Sequence, residues 1–240
     1  MASANIALMP EALIQGALYI VSTPIGNLED ISLRALHILK SVDLIAAEDT
    51  RHTKRLLLKY AIPTILTSYH DHNKEEKAPV LIQRLKEGQS IALVCDAGTP
   101  GISDPGFYLI RCCIEAGIRT IPVPGPTAAI TALIISGLPT DTFLFLGFLP
   151  KKRMARLKRL ALFKDTPATL ILYESPYRLS KALQDCRDAL GNRQAAIARE
   201  MTKVFEEVMR GNLEELMTRL QAKPCRGEVT LVIEGYRSEK

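Results

Sequence analysis

Short apolar runs alternate with helical patterns through the first half of this 240-residue chain, and this alternation constrains the fold most strongly. Five runs of strand length are predicted between Leu18 and Val123, and one segment of helical length separates each from the next. Strands that alternate with single helices form βαβ units and a mostly parallel sheet. The runs are continuously apolar, as in Ile91–Val94, which is typical of strands covered on both faces.

The pattern changes after a predicted linker at residues 137–141. Two predicted strands within residues 195–210 follow one another with little between them, which indicates a mixed second sheet because parallel neighbours need a long crossover. We therefore predict an α/β protein with an N-terminal extension at 1–16, an N-terminal α/β domain at 17–138 and a C-terminal α/β domain at 142–240.

Cysteine usage and the N-terminal sequence favour a cytoplasmic protein. The five cysteines are odd in number, include the adjacent Cys112 and Cys113, and form no C-x-x-C motif, so neither a disulfide framework nor a zinc site is indicated. Residues 1–15 carry no Lys or Arg, and the longest apolar stretch, near 128–138, is shorter than the roughly 20 residues of a membrane helix. The net charge of +5 favours a polyanionic partner.

Glycine and proline collect in three loops that directly follow predicted strands, at residues 22–27, 96–106 and 124–129. Ligands of open α/β sheets bind beyond the carboxyl ends of the strands. Three such loops, rich in small residues, predict a backbone-lined pocket for a flat ligand such as adenosine, whereas plain turns are the alternative interpretation. No P-loop motif and no G-x-G-x-x-G motif occurs, which argues against a P-loop nucleotidase and against the dinucleotide-binding fingerprint.

These loops and other motifs resemble the ribosomal RNA small subunit methyltransferase I family of the tetrapyrrole methylase superfamily. The motifs that carry the resemblance are V-S-T-P-I-G-N-L-E-D-I-S, A-A-E-D-T-R-H-T, Y-H-D-H-N, D-A-G-T-P-G-I-S-D-P-G, P-G-P-T-A-A-I-T-A-L, G-F-L-P-K, Y-E-S-P-Y-R-L and A-R-E-M-T-K. They occur in one order over about residues 16–235, which makes the resemblance highly specific.

The resemblance implies a two-domain tetrapyrrole methylase-like fold, with a mostly parallel N-terminal sheet, a mixed C-terminal sheet and S-adenosylmethionine in the cleft between them. It implies 2′-O-methylation of a cytidine ribose in the decoding region of 16S rRNA, within the small ribosomal subunit, and hence a role in rRNA processing and ribosome biogenesis. It also implies a homodimer and no metal.

By motif position, the resemblance implies cofactor contacts from the three loops and from strand ends of the second domain. These residues are Pro24, Asp96, Gly98, Thr99, Pro100, Ile102, Ser103, Thr127, Ala128, Tyr173, Ala198, Gly227 and Glu228. Cys95 and Met201 stand where the family leads us to expect Ser and Leu. Family members commonly carry a helical tail after the last strand, whereas this sequence stops at Lys240, so a grip on the ribosome that uses the tail is expected to differ.

A ribose hydroxyl is a poor nucleophile until its proton is being removed, so a general base is expected. Glu48 and Asp49 follow the second predicted strand, and Glu200 and Lys203 belong to the A-R-E-M-T-K motif. The predicted catalytic set is Asp49, Glu200 and Lys203, in which Asp49 or Glu200 takes the proton. The alternative interpretation is that these charges cap helices or pair with each other.

A basic run at residues 151–159, K-K-R-M-A-R-L-K-R, predicts an RNA-binding helix face. Leu157 and Leu160 are expected to face the core, while the basic side chains face outward and neutralise phosphates. A solvated helix face is the alternative. Together with phosphate contacts beside the general base, the predicted RNA-binding residues are Arg51, Lys151, Lys152, Arg153, Arg156, Arg159 and Arg199.

The alternating His70 and His72 would point to one face of an extended segment, as metal ligands do. No third ligand is evident in the sequence, so we predict an RNA contact or a structural turn instead of a metal site.

Two other functions stay open at this point. A precorrin or uroporphyrinogen C-methyltransferase would share the cofactor loops but would not need the basic run, and it is expected to carry a G-x-G-P-G-type first loop. A non-catalytic RNA-binding factor of ribosome assembly would need no cofactor pocket. Cofactor titration separates the binding factor from both enzymes, and the choice of acceptor separates the enzymes.

Overall fold

The computed structural model describes residues 13–237, so most of the predicted extension at 1–16 lies outside the described residues. The chain divides into two compact units. The first holds the residues up to Pro24 together with Leu28–Pro126, and the second holds Ile25–Asn27 together with the residues from Thr127 onward.

The first unit is built around a five-stranded parallel sheet in the order β3-β2-β4-β1-β5, as the βαβ pattern predicted. Its elements in chain order are β1 (Leu18–Val21), α1 (Leu33–Ser41), β2 (Leu44–Ala47), α2 (Thr50–Lys59), β3 (Leu66–Ser68), α3 (Lys74–Lys86), β4 (Ile91–Val94), α4 (Gly106–Glu115) and β5 (Thr120–Val123).

Both faces of this sheet are covered, which explains the continuous apolar runs. In β4, Ile91 and Leu93 enter one core cluster while Ala92 and Val94 enter the other, because successive side chains of a strand point to opposite faces. Local signals place the helix starts. The Ser32 hydroxyl accepts a hydrogen bond from the N–H of Ala35 and thereby caps α1, as serine does at many helix starts.

The second unit contains a five-stranded mixed sheet in the order β6-β7-β10-β8-β9. Its elements are α5 (Ala128–Ser136), β6 (Phe143–Phe148), α6 (Arg153–Ala161), β7 (Thr169–Glu174), α7 (Leu179–Leu190), β8 (Gln194–Arg199), β9 (Glu207–Asn212), α8 (Leu213–Ala222) and β10 (Val229–Ile233). Strands β6 and β7 are parallel and the other pairs are antiparallel, which confirms the predicted mixed sheet.

Two boundaries differ from those predicted. Helix α5 packs on β7, β8, β9 and β10 of the second unit, so the first unit ends at Pro126 instead of near residue 138. The helix is apolar almost all round, and its sequence therefore does not show which sheet it covers. Strand β9 begins at Glu207 instead of the predicted Lys203. A turn in which Glu200 and Thr202 have positive φ angles precedes it.

The orientation predicted for Arg156 is wrong. Its side chain is buried on the inner face of α6, where Nε donates to the buried Asp185 carboxylate of α7 at 2.6 Å. Arg156 Nη1 also donates to the carbonyl oxygens of Pro150 and Lys151, at 3.1 and 3.2 Å. A basic run gives no sign of which cation has a buried carboxylate to meet, since Asp185 lies on the next helix. As predicted, Leu160 is buried in the core.

None of the helices within residues 13–237 is long and apolar enough to cross a membrane.

The pair of Arg156 and Asp185 predicts a large stability effect. Asp185→Ala should lower the free energy of unfolding by about 3–5 kcal/mol, because it leaves a buried guanidinium without its carboxylate. The matched control is Asp188→Ala, three residues further along α7. It removes the exposed partner of Arg153 and should lower the free energy of unfolding by less than about 1 kcal/mol. Urea unfolding followed by circular dichroism measures both, and equal losses would contradict this role for Asp185.

Candidate active site

The three glycine- and proline-rich loops meet at the carboxyl edge of the first sheet. This holds for the loop residues that belong to the first unit. Thr23 and Gly98 exchange backbone hydrogen bonds at 2.8 and 3.0 Å and so join the first two loops. The Ser22 and Thr99 hydroxyls are 2.9 Å apart, and the Thr99 hydroxyl lies 3.2 Å from the carbonyl oxygen of Pro126 in the third loop. The predicted clustering of these loops is therefore confirmed within the first unit.

Close packing explains one of the glycines in the third loop. A Cβ atom on Gly125 would lie 2.9 Å from Cβ of Ser22, so only glycine allows this approach. Pro24 and Pro100, which directly follow Thr23 and Thr99, are buried. Ile102 and Ser103 are exposed at the tip of the second loop. The loops thus combine a fixed backbone with an exposed tip.

Asp104 holds the second loop in shape. Its carboxylate accepts hydrogen bonds from the N–H groups of Gly101 at 2.9 Å and Gly106 at 2.7 Å, at the start of α4. Ser103 has a φ of +65°, a left-handed conformation that costs a non-glycine residue energy and is found often at ligand sites. Asp104 is not among the site residues predicted from the sequence. The signal that could have found it is an aspartate two residues before a glycine that opens a helix.

Hydrogen bonds also join the ends of β2 and β4. Asp96 Oδ1 accepts from the N–H of Asp49 at 2.9 Å, and Glu48 Oε2 lies 3.4 Å from the N–H of Asp96. The structure therefore places Glu48 and Asp49, the two carboxylates after β2, directly beside the predicted cofactor residue Asp96.

The two carboxylates after β2 differ in their electrostatics. Asp49 caps α2 by accepting from the N–H of Arg51 at 2.8 Å, and it pairs with the Arg51 guanidinium at 2.7 Å. These hydrogen bonds hold the pKa of Asp49 well below its usual range. Burial, followed by the nearby Asp96 carboxylate, raises the pKa of Glu48. A carboxylate with a raised pKa is the stronger base, so Glu48 is better suited than Asp49 to accept a proton.

In the second unit, three of the residues implied for cofactor binding share one apolar cluster. Ala128, Tyr173 and Ala198 all belong to it, and Tyr173 and Ala198 both pair with Thr230 of β10 from opposite sides. The N–H of Ala129 donates to the Tyr173 hydroxyl at 3.2 Å. Thr127 is the N-cap residue of α5, yet its side chain accepts no hydrogen bond from the first turn of that helix.

Glu200, Lys203, Gly227 and Glu228 form a second group in this unit. Glu200 Oε1 accepts from the N–H of Glu228 at 2.9 Å and from Lys203 Nζ at 3.0 Å, and Lys203 Nζ also lies 2.8 Å from Glu228 Oε2. The backbone hydrogen bond from Glu228, followed by the Lys203 ammonium, lowers the pKa of Glu200. These charges pair with each other, which is the alternative that the sequence left open, and Glu200 is a weak base.

Glycine is required at two positions around this group. A Cβ atom on Gly227, whose φ is +84°, would lie 2.4 Å from three side-chain atoms of Glu200. A Cβ atom on Gly26 would lie 2.5 Å from Cγ of Lys203 and 2.9 Å from the carbonyl oxygen of Met201. The segment Ile25–Asn27 therefore packs tightly against the turn that follows β8, and the N–H of Asn27 donates to the Thr202 hydroxyl at 2.9 Å.

The predicted RNA-binding residues in the loop and helix after β6 fall into two groups. Lys151 and Lys152 are exposed before α6, and Arg159 is exposed on it, with its guanidinium 5.2 Å from the centre of the Phe163 ring. Arg153 is exposed but pairs with Asp185 and Asp188. Lys151 and Lys152 are thus better placed than Arg153 to meet a phosphate.

The other predicted phosphate contacts have carboxylate partners. The Arg51 side chain is 90% exposed while it pairs with Asp49. Arg199 has a mostly buried side chain, donates to Glu207 at 2.7 Å and reaches the carbonyl oxygen of Arg226 at 3.1 Å. Of these two, Arg51 is the more open to a ligand.

His70 and His72 stand with their ring centres 6.0 Å apart at an angle of 64°. The backbone N–H of His70 donates to Asn73 Oδ1 at 2.8 Å, so the histidines belong to the turn that leads into α3. Within residues 13–237, no three His, Cys, Asp or Glu side chains stand close enough to hold a metal ion.

The residues present fit the chemistry of S-adenosylmethionine. Amides of the first turn of α5 without a side-chain cap suit a carboxylate, since the helix N-terminus favours an anion. In the first unit, Ala97 and Gly98 give the second loop side chains of little bulk. In the second unit, the apolar cluster that contains Tyr173 and Ala198 suits an adenosine.

Comparisons with known proteins agree with these features. Residues 17–217 match the family model of Tetrapyrrole (Corrin/Porphyrin) Methylases. The chain is 53% identical to "Ribosomal RNA small subunit methyltransferase I" of Halalkalibacterium halodurans over 92% of this chain and 76% of the relative. It is 51% identical to the protein of the same name from Escherichia coli O157:H7, over 94% of this chain and 80% of the relative.

Solved structures share the fold at low identity. A uroporphyrin-III-C-methyltransferase from Thermus thermophilus superposes with a TM-score of 0.65 at 23% identity, over 91% of this chain and 94% of the other. The methyltransferase CobJ superposes with a TM-score of 0.70 at 16% identity, over 94% of this chain and 96% of the other. The two-unit α/β architecture is therefore that of the tetrapyrrole methylases, and the sequence identities show that this chain belongs to the ribosomal RNA small subunit methyltransferase I family.

Proposed function

We propose that this protein transfers a methyl group from S-adenosylmethionine to the ribose 2′-hydroxyl of a cytidine in the decoding region of 16S rRNA, with the small ribosomal subunit as its partner. The observation that carries the proposal is membership of the ribosomal RNA small subunit methyltransferase I family. The linked loops of the first unit and the exposed lysines before α6 also support it. We further propose that the protein acts in the cytoplasm as a homodimer.

The cofactor-binding residues in this proposal are those that the resemblance implies. They are Pro24, Asp96, Gly98, Thr99, Pro100, Ile102, Ser103, Thr127, Ala128, Tyr173, Ala198, Gly227 and Glu228. Bound S-adenosylmethionine supplies an electrophilic methyl group on a sulfonium. The hydrogen bonds among Ser22, Thr23, Gly98 and Thr99 hold the loops rigid, and such preorganised positioning contributes about 7–11 kcal/mol to barrier reduction in well-oriented reactions.

For the proton of the ribose hydroxyl, we propose Glu48 as the general base. Glu48 is half-buried, lies at the carboxyl end of β2 beside Asp96, and has a raised pKa. Asp49 and Glu200, the bases expected from sequence, have lowered pKa values because hydrogen bonds already satisfy their charged forms. Lys203, paired with Glu200 and Glu228, then has a positioning role in the second unit.

The proposed activity predicts a specific acceptor. The purified protein should transfer label from methyl-tritiated S-adenosylmethionine to small ribosomal subunits from cells that lack the enzyme, and the label should sit on an alkali-resistant ribose. Protein-free 16S rRNA and a uroporphyrinogen serve as parallel acceptors. Label in the uroporphyrinogen would instead assign a tetrapyrrole C-methyltransferase. Absence of both transfer and cofactor binding in a titration would leave the RNA-binding assembly factor.

The proposed base predicts a difference between neighbouring carboxylates. Glu48→Gln should lower kcat by roughly 10²- to 10⁴-fold, because the amide cannot accept the proton. The matched variant is Asp49→Asn, which preserves a good helix N-cap and should change kcat by less than about tenfold. Single-turnover methyl transfer to small subunits measures both rates. A near-wild-type rate for Glu48→Gln would remove Glu48 as the base.

The raised pKa of Glu48 also predicts a pH-dependent stability effect. A raised pKa means that the folded protein holds the Glu48 proton more tightly than the unfolded chain does, so this contribution to stability is present in acid and lost as the pH rises through the folded pKa. Glu48→Gln should therefore stabilise the protein at pH 7, and the gain should disappear below about pH 4.3. Urea unfolding from pH 4 to pH 8 measures it, and a loss of stability at pH 7 would contradict the electrostatic assignment.

A further inference from the structure

Among the exposed large hydrophobic residues of the part of the chain that the structure describes, Tyr177 has the highest relative exposure, at 95%. It lies in the turn between β7 and α7, in the motif Y-E-S-P-Y-R-L. A ring that is almost wholly in water gains little stabilisation from burial and stays accessible to a ligand. Tyr177 is neither the proposed general base nor one of the proposed cofactor-binding residues.

The turn that carries Tyr177 is held at both ends. The N–H of Arg178 donates to the carbonyl oxygen of Ser175 at 3.0 Å, which closes a turn with Pro176 at its second position, where proline presets the backbone. The N–H of Ser175 donates to the buried Glu174 carboxylate at 2.8 Å. The exposed ring therefore projects from a rigid backbone.

Arg178 joins this turn to the basic loop after β6, and Arg156 fixes the loop itself. Arg178 Nη2 donates to the carbonyl oxygen of Leu149 at 2.8 Å and lies 3.2 Å from the Glu174 carboxylate. Arg156, anchored on Asp185, donates to the carbonyl oxygens of Pro150 and Lys151. The loop at 149–152 and the turn at 175–178 thus form one fixed surface at the carboxyl ends of β6 and β7.

This surface, which we call the tyrosine–lysine surface, combines an aromatic ring with cations. Its side chains are those of Phe148, which is 57% exposed, the exposed Lys151 and Lys152, and Tyr177. Lysines meet phosphates as point charges, and exposed aromatic rings stack on unpaired bases. An exposed ring and two exposed lysines on two segments that Arg178 links therefore match one unpaired nucleotide with its flanking phosphates.

We propose that the tyrosine–lysine surface binds single-stranded RNA of the substrate and that Tyr177 stacks on an unpaired base. This inference rests on the proposed function and adds a binding residue to it. Tyr177 fixes the strand, Lys151 and Lys152 neutralise its phosphates, and Arg156 and Arg178 act as positioning residues behind the surface.

Tyr177→Ala should raise KM for small ribosomal subunits by about 5- to 150-fold, the range expected for loss of one stacked base, with the S-adenosylmethionine Kd and the unfolding midpoint unchanged. Tyr177→Phe should keep the wild-type KM, because the ring is retained. The matched control is Tyr236→Ala, which removes a 44% exposed ring after β10, at the opposite edge of the same sheet, and should leave KM unchanged.

The lysines give a separate readout. Changing Lys151 and Lys152 together to Ala should reduce the slope of log Kd against log salt, for binding to small subunits, by about 1.4–1.8, since each phosphate contact contributes about 0.7–0.9.

A wild-type KM for Tyr177→Ala in an enzyme that methylates the subunits would overturn the stacking proposal and leave the function intact. Wild-type protein that neither binds nor methylates the subunits would overturn both.

Discussion

Parallel pairing of β1 with β4 on one side and β5 on the other determines where the chemistry of the first unit can lie. Parallel strands run in the same direction, so every strand of this sheet has its carboxyl end at the same edge. The loops after β1, β4 and β5 are adjacent for that reason alone. Their hydrogen bonds, such as the pair between Thr23 and Gly98, then convert adjacency into a fixed arrangement of backbone groups.

The same constraint brings Glu48 next to Asp96. Strand β2 is the other neighbour of β4, so the residues that follow the two strands meet at the same edge. Within this pair of ends, small differences in hydrogen bonding separate the chemistry of adjacent residues. Asp49 turns toward the N–H groups of α2 and becomes a cap, while Glu48 stays near other carboxylates. Two carboxylates one residue apart thereby have pKa values shifted in opposite directions.

Sequence patterns predicted the strands well where burial on both faces leaves an apolar run, as in β4, and they predicted the loops that follow. They failed where a residue depends on a distant partner. Arg156 looks like its basic neighbours because its partner Asp185 is 29 residues away. Likewise, the raised pKa of Glu48 depends on its burial in the fold and then on Asp96, which follows another strand, and neither is visible in the residues around Glu48. Helix α5 packs on the second sheet although the predicted domain boundary follows it, because an apolar helix suits either sheet.

Strand order also has a consequence for synthesis on the ribosome. Leu18 of β1 pairs with Ile91 of β4 and with Thr120 of β5, so β1 is synthesised well before both of its neighbours in the sheet. At about 5–20 residues per second, β1 waits roughly 5 to 20 s before both neighbours exist. Such non-local pairing makes folding slow, and the apolar strand β1 stays without its sheet neighbours during that interval.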